Sequence, residues 1–252
     1  LAPTRYVWQF EHYVAREGIG GVIQTVLRPL ISLMKRWDYA AAQRVHHFIA
    51  ISTEIQARIK TYYNGDSVVI FPPTDTERFA AARTQTIGDY FLVVSRLIPY
   101  KRIDLAVRAC TALGLPLKVG GRGRDLDKLK AIAGPTVEFL GFVPDDELPA
   151  LMAGCKAFLF PGYEDFGITP VQAQAAGRPV IAYGAGGALD TVKAGVTGEL
   201  FTEQTVESLS AVLQAFDAST YDSGACQDHA RQFDVSVFRA QLSAFINEKG
   251  QI

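Results

Sequence analysis

The sequence contains little cysteine, and this argues against two classes of protein. Only three cysteines occur among its 252 residues, Cys110, Cys155 and Cys226. Because their number is odd and their spacing is wide, they provide neither a disulfide framework nor the closely paired ligands of a structural zinc site. All three lie in apolar stretches. We therefore expect free thiols and a protein of the reducing cytoplasm.

The sequence also lacks a long apolar run and a charge imbalance. No apolar stretch reaches the roughly 18 residues that cross a bilayer, and no signal peptide is visible. The net charge is −1, so we expect no attraction to nucleic acid. The hydrophobic fraction of 48% is that of a folded chain, with room for one large or two small domains.

From about Ile70 onward, short apolar runs alternate with stretches of helical periodicity. The predicted strands are 90–95, 116–120, 136–140, 155–160, 179–183 and 199–201. The predicted helices are 101–113, 124–133, 145–153, 168–176, 187–193, 205–217, 222–232 and 235–248. Parallel strands need crossovers, and these helices supply them. The alternation therefore predicts an α/β domain with a doubly wound, Rossmann-like parallel sheet.

The first seventy residues follow another pattern. Apolar residues recur at helical spacing between Val22 and Met34, with a bend expected at Pro29, and Asp38 is predicted to cap a second helix. Only two β runs appear, at 47–51 and 68–71. They are too few for a complete nucleotide-binding domain.

A third helix is predicted between those two β runs, with Ile55 and Ile59 inside and Arg58 and Lys60 outside. Two consecutive prolines follow the second run, at 72 and 73, and they predict a linker. We therefore assign residues 1–72 to an incomplete N-terminal domain and residues 73–252 to a complete C-terminal one.

The most informative motif comes directly after the predicted strand 155–160. Glu164 leads a Phe-Gly turn, Phe166-Gly167, which we expect to be exposed, and a helix begins at Ile168. In open α/β sheets, ligands bind at the carboxyl ends of the strands. Helix starts there favour anionic or hydroxyl-rich ligands. We therefore predict a ligand contact for Glu164, with a solvated loop carboxylate as the alternative.

Two cations follow the first strand of the C-terminal domain. Arg96 comes at the end of strand 90–95, and Lys101 comes at the start of the next helix. Arg can grip two oxygens at once and Lys acts as a point charge, so the pair forms a site for a diphosphate. The alternative is two solvated surface side chains.

Two glycine-rich turns complete the set of candidate residues. Gly120-Gly121 follows strand 116–120, and Gly186-Gly187 precedes the helix predicted at 187–193. Glycine lets a backbone approach a ligand closely. The alternative is that these glycines serve only the packing of strand-to-helix connections.

Together these motifs resemble the retaining glycosyltransferases of the GT-B fold, above all glycosyltransferase family 4. Residues 164–172 are similar to its E-x7-E signature, in which the first Glu contacts the donor sugar and the second the ribose. Gln172 stands at the second position. Arg96 and Lys101 match the family's R-x4-K pair. Gly186-Gly187 is similar to its G-G-x-x-E pattern, with Asp190 in place of Glu.

The opening residues 3–8 resemble the H-T-P-x-R-Y-x-W stretch of a mannosyltransferase-like branch that acts in O-antigen and capsule assembly. The His of that stretch falls on Leu1 and is absent. The alternative for this segment is an aromatic edge of the core. The resemblance implies that the chain corresponds to the last two-thirds of a longer enzyme, whose N-terminal domain supplies the acceptor site.

The resemblance implies a retaining hexosyltransferase that needs no cofactor and no metal. Its expected donor is GDP-mannose, and its acceptor is a glycan or a lipid-linked glycan. Catalytic roles are implied for Arg96, Lys101 and Glu164. Donor-binding roles are implied for Gly120, Gly121, Phe166, Gly167, Ile168, Gln172, Gly186 and Gly187.

Two other functions stay open at this point. One is a non-catalytic nucleotide-sugar-binding half-enzyme that needs a partner chain, and the other is a GT-B-fold nucleotide-sugar epimerase. We expect the apolar stripe of residues 22–34 to associate with the missing N-terminal part or with a second copy. The cations Arg28, Lys35, Arg36 and Arg44 form either a peripheral contact with the inner membrane face or a solvated helix face.

Overall fold

The computed structural model describes residues 3–11, 14, 21–82 and 86–250 of the chain. Leu1, where the resemblance expects a His, lies outside them. The described residues form two compact units. The first contains the residues up to Phe71 together with those from Leu242 onward, and the second runs from Pro72 to Gln241.

Up to Phe71, the described residues of the first unit form a small two-stranded parallel sheet and three helices. Its elements are α1 (Arg5–Trp8), α2 (Gly21–Ala42), β1 (Phe48–Ala50), α3 (Thr53–Tyr63) and β2 (Ser67–Val69). Strands β1 and β2 pair in parallel, and α3 is the crossover between them. Its residues Ile55 and Ile59 are buried in the core of the unit, as predicted.

The structure corrects two predictions in this unit. Asp38 does not cap a second helix, because α2 continues past Pro29 and Asp38 to Ala42. The Asp38 carboxylate instead accepts hydrogen bonds from Trp8 Nε1 and from the Tyr63 hydroxyl. Arg58 was predicted to face outward, yet it is buried and lies 2.9 Å from the Glu54 carboxylate. The ion pair compensates the buried positive charge there.

The second unit contains a six-stranded parallel sheet, which confirms the predicted fold class. Its strands are β3 (Phe91–Val94), β4 (Leu117–Gly120), β5 (Val137–Gly141), β6 (Ala157–Phe160), β7 (Val180–Tyr183) and β8 (Gly198–Phe201). Its helices are α4 (Thr76–Ala80), α5 (Ile103–Leu113), α6 (Leu126–Ile132), α7 (Leu148–Ala153), α8 (Ile168–Ala175), α9 (Ala188–Thr191), α10 (Val206–Ala215), α11 (Ser223–Ala230) and α12 (Val235–Lys249), the last of which ends among the first unit's residues. Short 3₁₀ turns occupy Pro99–Lys101, Ala218–Thr220 and Arg231–Phe233.

The strand order of this sheet is β5-β4-β3-β6-β7-β8. The chain builds outward from β3 to β5, then returns to place β6 beside β3. The loops that leave the carboxyl ends of β3 and β6 therefore run to opposite sides of the sheet. A crevice opens at such a switch point, and ligands of open α/β sheets bind there.

The core around β3 and β6 is apolar on both faces of the sheet. All four residues of β6 are buried, and α5 buries a face that includes Leu105, Val107 and Cys110. The three cysteines are free and buried. Burial raises the pKa of the Cys110 and Cys155 thiols to about 12, so both stay protonated and unreactive at neutral pH.

The start of α12 is tied to the start of the second unit through Asp234. Its carboxylate accepts hydrogen bonds from the Thr76 hydroxyl at 2.6 Å and from the Ser236 N–H at 2.9 Å. Burial by itself raises the pKa of Asp234, but the hydrogen bonds from Ser236 and Thr76 outweigh it and hold that pKa well below its usual range.

A depressed pKa stabilises the fold above the unfolded value near 3.9, and this stability is lost as the pH falls below it. Asp234→Asn should therefore lower the free energy of unfolding at pH 7 by roughly 1–3 kcal/mol. The difference from the unsubstituted chain should shrink as the pH falls below about 4. Denaturant titrations at several pH values measure it, with the exposed Asp146→Asn as control. A difference independent of pH would contradict the assignment.

Candidate functional site

An ion pair joins the segments that follow β3 and β6, the two strands at the switch point. Lys101 ends the 3₁₀ turn that follows β3, and Glu164 lies in the loop that follows β6. Lys101 Nζ and Glu164 Oε1 are in direct contact, and both side chains are 17% exposed. A small pocket beside them is also lined by Ser95 and Gly162. The structure thus brings together two predicted site residues that are 63 positions apart in the sequence.

Arg96 lies at the carboxyl end of β3 and is exposed. Its Nη2 donates a hydrogen bond to the Tyr100 hydroxyl at 3.0 Å. Lys101 Nζ lies 5.3 Å from the centroid of the same ring. Both predicted cations therefore neighbour Tyr100 on one short loop. Their contact with a diphosphate stays a prediction.

The Gly186-Gly187 turn lies against the loop that carries Glu164. The backbone of Glu164 forms a parallel bridge with Gly186, and the Gly187 N–H donates to the Glu164 carbonyl at 2.9 Å. A Cβ on Gly186 would lie 2.3 Å from that carbonyl oxygen, and Gly186 has a φ of +65°. Only glycine allows this approach. The start of α9 is therefore held next to Glu164.

Neither helix start near Glu164 has a side-chain cap. Helix α8 begins after Gly167 and helix α9 begins after Gly187, and neither residue can supply a capping oxygen. The first N–H groups of a helix have no partner within the helix. The partial positive charge of a helix start favours phosphate or sugar oxygens. At α9, however, the N–H groups of Leu189 and Asp190 already donate to the carbonyls of the preceding glycines.

The glycines at the end of β4, Gly120 and Gly121, pack tightly against neighbouring loops. The Gly121 N–H donates to the Gly141 carbonyl, and a Cβ on Gly121 would lie 1.8 Å from the Ser95 carbonyl oxygen. A Cβ on Gly120 would lie 2.8 Å from a Val143 methyl. These contacts support the packing alternative for the turn. Donor binding by Gly120 and Gly121 stays a prediction.

The structure corrects the prediction that the Phe166-Gly167 turn is exposed. Phe166 is 4% exposed and packs edge-on against Phe233, with ring centroids 5.6 Å apart. The apolar ring gains more from this burial than from a place in solvent. Phe166 can contact a donor only through its backbone. Ile168 is exposed and Gln172 is half-buried, and since they are four residues apart on α8 they share one face.

Sequence reasoning missed the polar residues behind Lys101. Arg102 forms a two-point ion pair with Asp104, at 3.0 and 3.2 Å. Gln204, after β8, donates to the Pro161 carbonyl at 2.8 Å. An Arg two residues before an Asp at a helix start is the signal that would have found the first contact. The contact of Gln204 with Pro161 could not be predicted in this way, because it depends on the strand order.

In the described part of the chain, no three His, Cys, Asp or Glu side chains are grouped to hold a metal ion. Two aspartates, Asp125 and Asp127, lie at the start of α6 on either side of Leu126. None of the described helices is long and apolar enough to span a bilayer.

Comparison with known proteins places these features in a family. Residues 74–220, more than half of the chain, match the family described as glycosyl transferases group 1. Glycogen synthase of Pseudomonas paraeruginosa is 39% identical over 146 residues, which cover 52% of this chain and 27% of that protein. The GDP-mannose-dependent alpha-(1-6)-phosphatidylinositol monomannoside mannosyltransferase of Mycobacterium tuberculosis is 34% identical over 167 residues, which cover 55% and 43%. The chain therefore spans less than half the length of these relatives.

Solved structures share the fold. Anabaena HepE, solved in complex with UDP and glucose, superposes with a TM-score of 0.70 at 24% identity, over 84% of this chain and 66% of that one. Sucrose-phosphate synthase of Thermosynechococcus elongatus gives a TM-score of 0.76 at 20% identity, over 86% and 61%. At these identities the likeness concerns the fold, and it confirms the predicted GT-B class.

Replacement of Gly186 by Ala tests the close approach at the site. Gly195 is the matched control, because its φ of +73° is similar but a Cβ there would meet open space. Each substitution should cost about 1–2 kcal/mol for the left-handed alanine, and only Gly186→Ala should add an overpacking cost of about 1–3 kcal/mol. Free energies of unfolding from denaturant titration provide the comparison. Equal losses would show that the contact with Glu164 is not tight.

Proposed function

The chain belongs to the group 1 glycosyl transferases, and we propose that it binds the diphosphate of a nucleotide-sugar donor around Lys101 and Glu164. The proposed reaction moves the sugar to a glycan or a lipid-linked acceptor with retention of configuration. The observation that carries this proposal is the Lys101–Glu164 ion pair at the switch point between β3 and β6.

The proposed chemistry follows from the charges at the site. Transfer breaks the bond between sugar C1 and the diphosphate oxygen, so negative charge grows on the leaving group. Arg96, Lys101 and the start of α9 supply positive charge, and preorganised charge of this kind stabilises a transition state. Glu164 accepts hydrogen bonds from sugar hydroxyls and thereby orients the sugar. No metal is needed in this scheme.

The proposed donor is GDP-mannose. A relative of 34% identity is named as a GDP-mannose-dependent mannosyltransferase, whereas HepE was solved with UDP, so uridine nucleotides are the alternative. Gln172 is proposed to face the ribose. Its amide offers one acceptor oxygen where a carboxylate would offer two, so we expect a weaker grip on the two ribose hydroxyls.

A comparison of two ligands tests the proposed roles. Arg96→Ala and Lys101→Ala should each weaken binding of the free nucleoside diphosphate by roughly tenfold, since each removes a hydrogen bond to a charged group. Glu164→Gln should weaken binding of the intact nucleotide sugar. It should not weaken binding of the free diphosphate, because that ligand leaves the sugar position empty and Lys101 loses a competing carboxylate. Calorimetry with GDP, UDP and ADP, and with the matching nucleotide sugars, measures both.

The matched control for the cations is Arg108→Ala, an exposed arginine on α5. Unchanged diphosphate affinity in both cation variants would remove the proposed site. Equal losses for the two ligands in Glu164→Gln would show that this residue does not serve the sugar. Binding without any transfer in the unsubstituted chain would favour the half-enzyme alternative. Isomerised nucleotide sugar would favour the epimerase.

The contacts of the four cations Arg28, Lys35, Arg36 and Arg44 give little support to a membrane contact. Arg28 lies 3.3 Å from the Glu11 carboxylate, and Lys35 Nζ lies 5.8 Å from the Trp8 ring centroid. Two of the four cations thus have contacts inside the first unit, which favours the alternative of an ordinary helix face. A peripheral membrane contact, and a cytoplasmic location at the inner membrane, stay predictions.

We propose that the exposed side of α2 binds protein. Val26, Leu30, Leu33 and Trp37 are 71%, 52%, 64% and 67% exposed, and their spacing places them on one side of the helix. A row of large exposed apolar side chains marks an interface. The proposed partner is a second copy or the N-terminal part of a longer enzyme, which would then be needed for transfer.

Light scattering on the purified chain measures association. Leu33→Glu should shift the chain toward a monomer, because it buries a charge in the interface. The control is Ser32→Glu, which adds the same charge to an exposed neighbouring position on α2. A monodisperse monomer with full transferase turnover would contradict the proposed interface.

A further inference from the structure

Arg102, the residue that follows Lys101, has an unusual backbone. Its φ of 53° and ψ of 36° lie in the left-handed region. In the described part of the chain the other non-glycine residue with positive φ is Asn64, which ends helix α3. Asn is common at such positions, whereas Arg seldom adopts this conformation. Strain of this kind persists only where the surroundings hold it.

The side chain of Arg102 is held at both ends of its guanidinium group. Its Nε and Nη2 donate to the two carboxylate oxygens of Asp104, and its Nη1 donates to the Gln204 carbonyl at 3.3 Å. Two-point contacts to a carboxylate are geometrically specific. The Arg102 network, defined as Arg102, Asp104 and Gln204, therefore connects the loop after β3 with the loop after β8.

The same network reaches the loop that carries Glu164. The Gln204 side chain donates to the Pro161 carbonyl at 2.8 Å. The next residue, Gly162, packs against Lys101, because a Cβ there would lie 3.0 Å from the Lys101 carbonyl oxygen. The loops after β3, β6 and β8 are thus fixed to one another next to Lys101.

We propose that Arg102 is a positioning residue that holds Lys101 in the orientation in which it meets Glu164 and a ligand phosphate. The left-handed turn at Arg102 separates the 3₁₀ turn that ends at Lys101 from helix α5, and the Arg102 network stabilises that turn. This role rests on the function proposed above, in which Lys101 holds the donor diphosphate. Arg102 itself does not need to touch the donor.

Lysine labelling of the purified chain without ligand tests the position of Lys101 directly. N-hydroxysuccinimidyl acetate is the probe, and mass spectrometry gives the acetylation rate at Lys101. Arg102→Gly and Arg102→Ala should each raise that rate by roughly threefold or more, since the release of one charged hydrogen-bond network is of this order. Exposed Lys128 is the internal reference, and Arg108→Ala is the control variant.

The two substitutions separate the side chain from the backbone. Glycine adopts the left-handed turn without strain, so Arg102→Gly removes only the network. If Arg102→Ala raised the rate and Arg102→Gly did not, the backbone alone would position Lys101, and the proposal would be overturned. Unchanged rates in both would overturn it as well. Asp104→Asn, which removes the charge and keeps the volume, should give a smaller rise of the same sign.

Diphosphate binding separates this inference from the proposed function. In calorimetry with GDP or UDP, Arg102→Gly should weaken binding by roughly threefold or more, and it should add nothing further in a chain that also carries Lys101→Ala. A further loss in the double variant would mean that Arg102 acts on its own, against a positioning role. If the unsubstituted chain bound neither nucleotide while the labelling rates changed as expected, the positioning of Lys101 would stand and the proposed function would fall.

Discussion

The parallel pairing of β3 with β6 is the constraint on which the site depends. Phe91 pairs with Ala157 and Leu92 with Phe158, so the two strands end side by side. Their connections then leave in opposite directions, which opens the crevice and places Lys101 opposite Glu164. The buried, apolar surroundings of both strands keep this geometry rigid. Without this pairing the two charged residues would belong to unrelated loops.

Glycines make the rest of the site compact. At Gly162, Gly186 and Gly187 a Cβ would meet the backbone of Lys101, Glu164 and Phe166, at 3.0, 2.3 and 2.2 Å. Three loops can therefore lie closer together than side chains would permit. The starts of α8 and α9, which have no side-chain caps, therefore lie beside the Lys101–Glu164 ion pair. Positive charge and one carboxylate then lie in a small volume, and the proposed binding of a diphosphate joined to a sugar rests on this arrangement.

Much of this fold was predictable, because the evidence for it is local. Strand 157–160 was expected at 155–160 and strand 180–183 at 179–183, since runs of buried apolar residues between turns identify parallel strands. The ends of the strands that became β3 and β6 also indicated Arg96, Lys101 and Glu164 as candidate site residues. The contact between Lys101 and Glu164 could not be predicted, because it depends on the order of the strands in the sheet. No single segment of the sequence determines that order.

The wrong predictions share a cause. Phe166 was expected in solvent and packs on Phe233, Arg58 was expected outside and is buried with Glu54, and Asp38 was expected at a helix start and binds Trp8 and Tyr63. In each case packing in the folded chain overrode a local preference. Phe166 and Asp38 have tertiary contacts, whereas Arg58 is buried and forms its ion pair within its own helix. The residues behind Lys101 were missed for the same reason, since the partner of Arg102 beyond Asp104 is 102 residues away.

A crystal structure of the chain with a bound nucleoside diphosphate tests the central claim most directly. We expect the two phosphates between the carboxyl ends of β3 and β6, with Arg96 and Lys101 within hydrogen-bond distance of phosphate oxygens and the start of α9 facing them. Electron density for the diphosphate at another edge of the sheet, or a nucleotide bound with Lys101 still paired only to Glu164, would contradict the account.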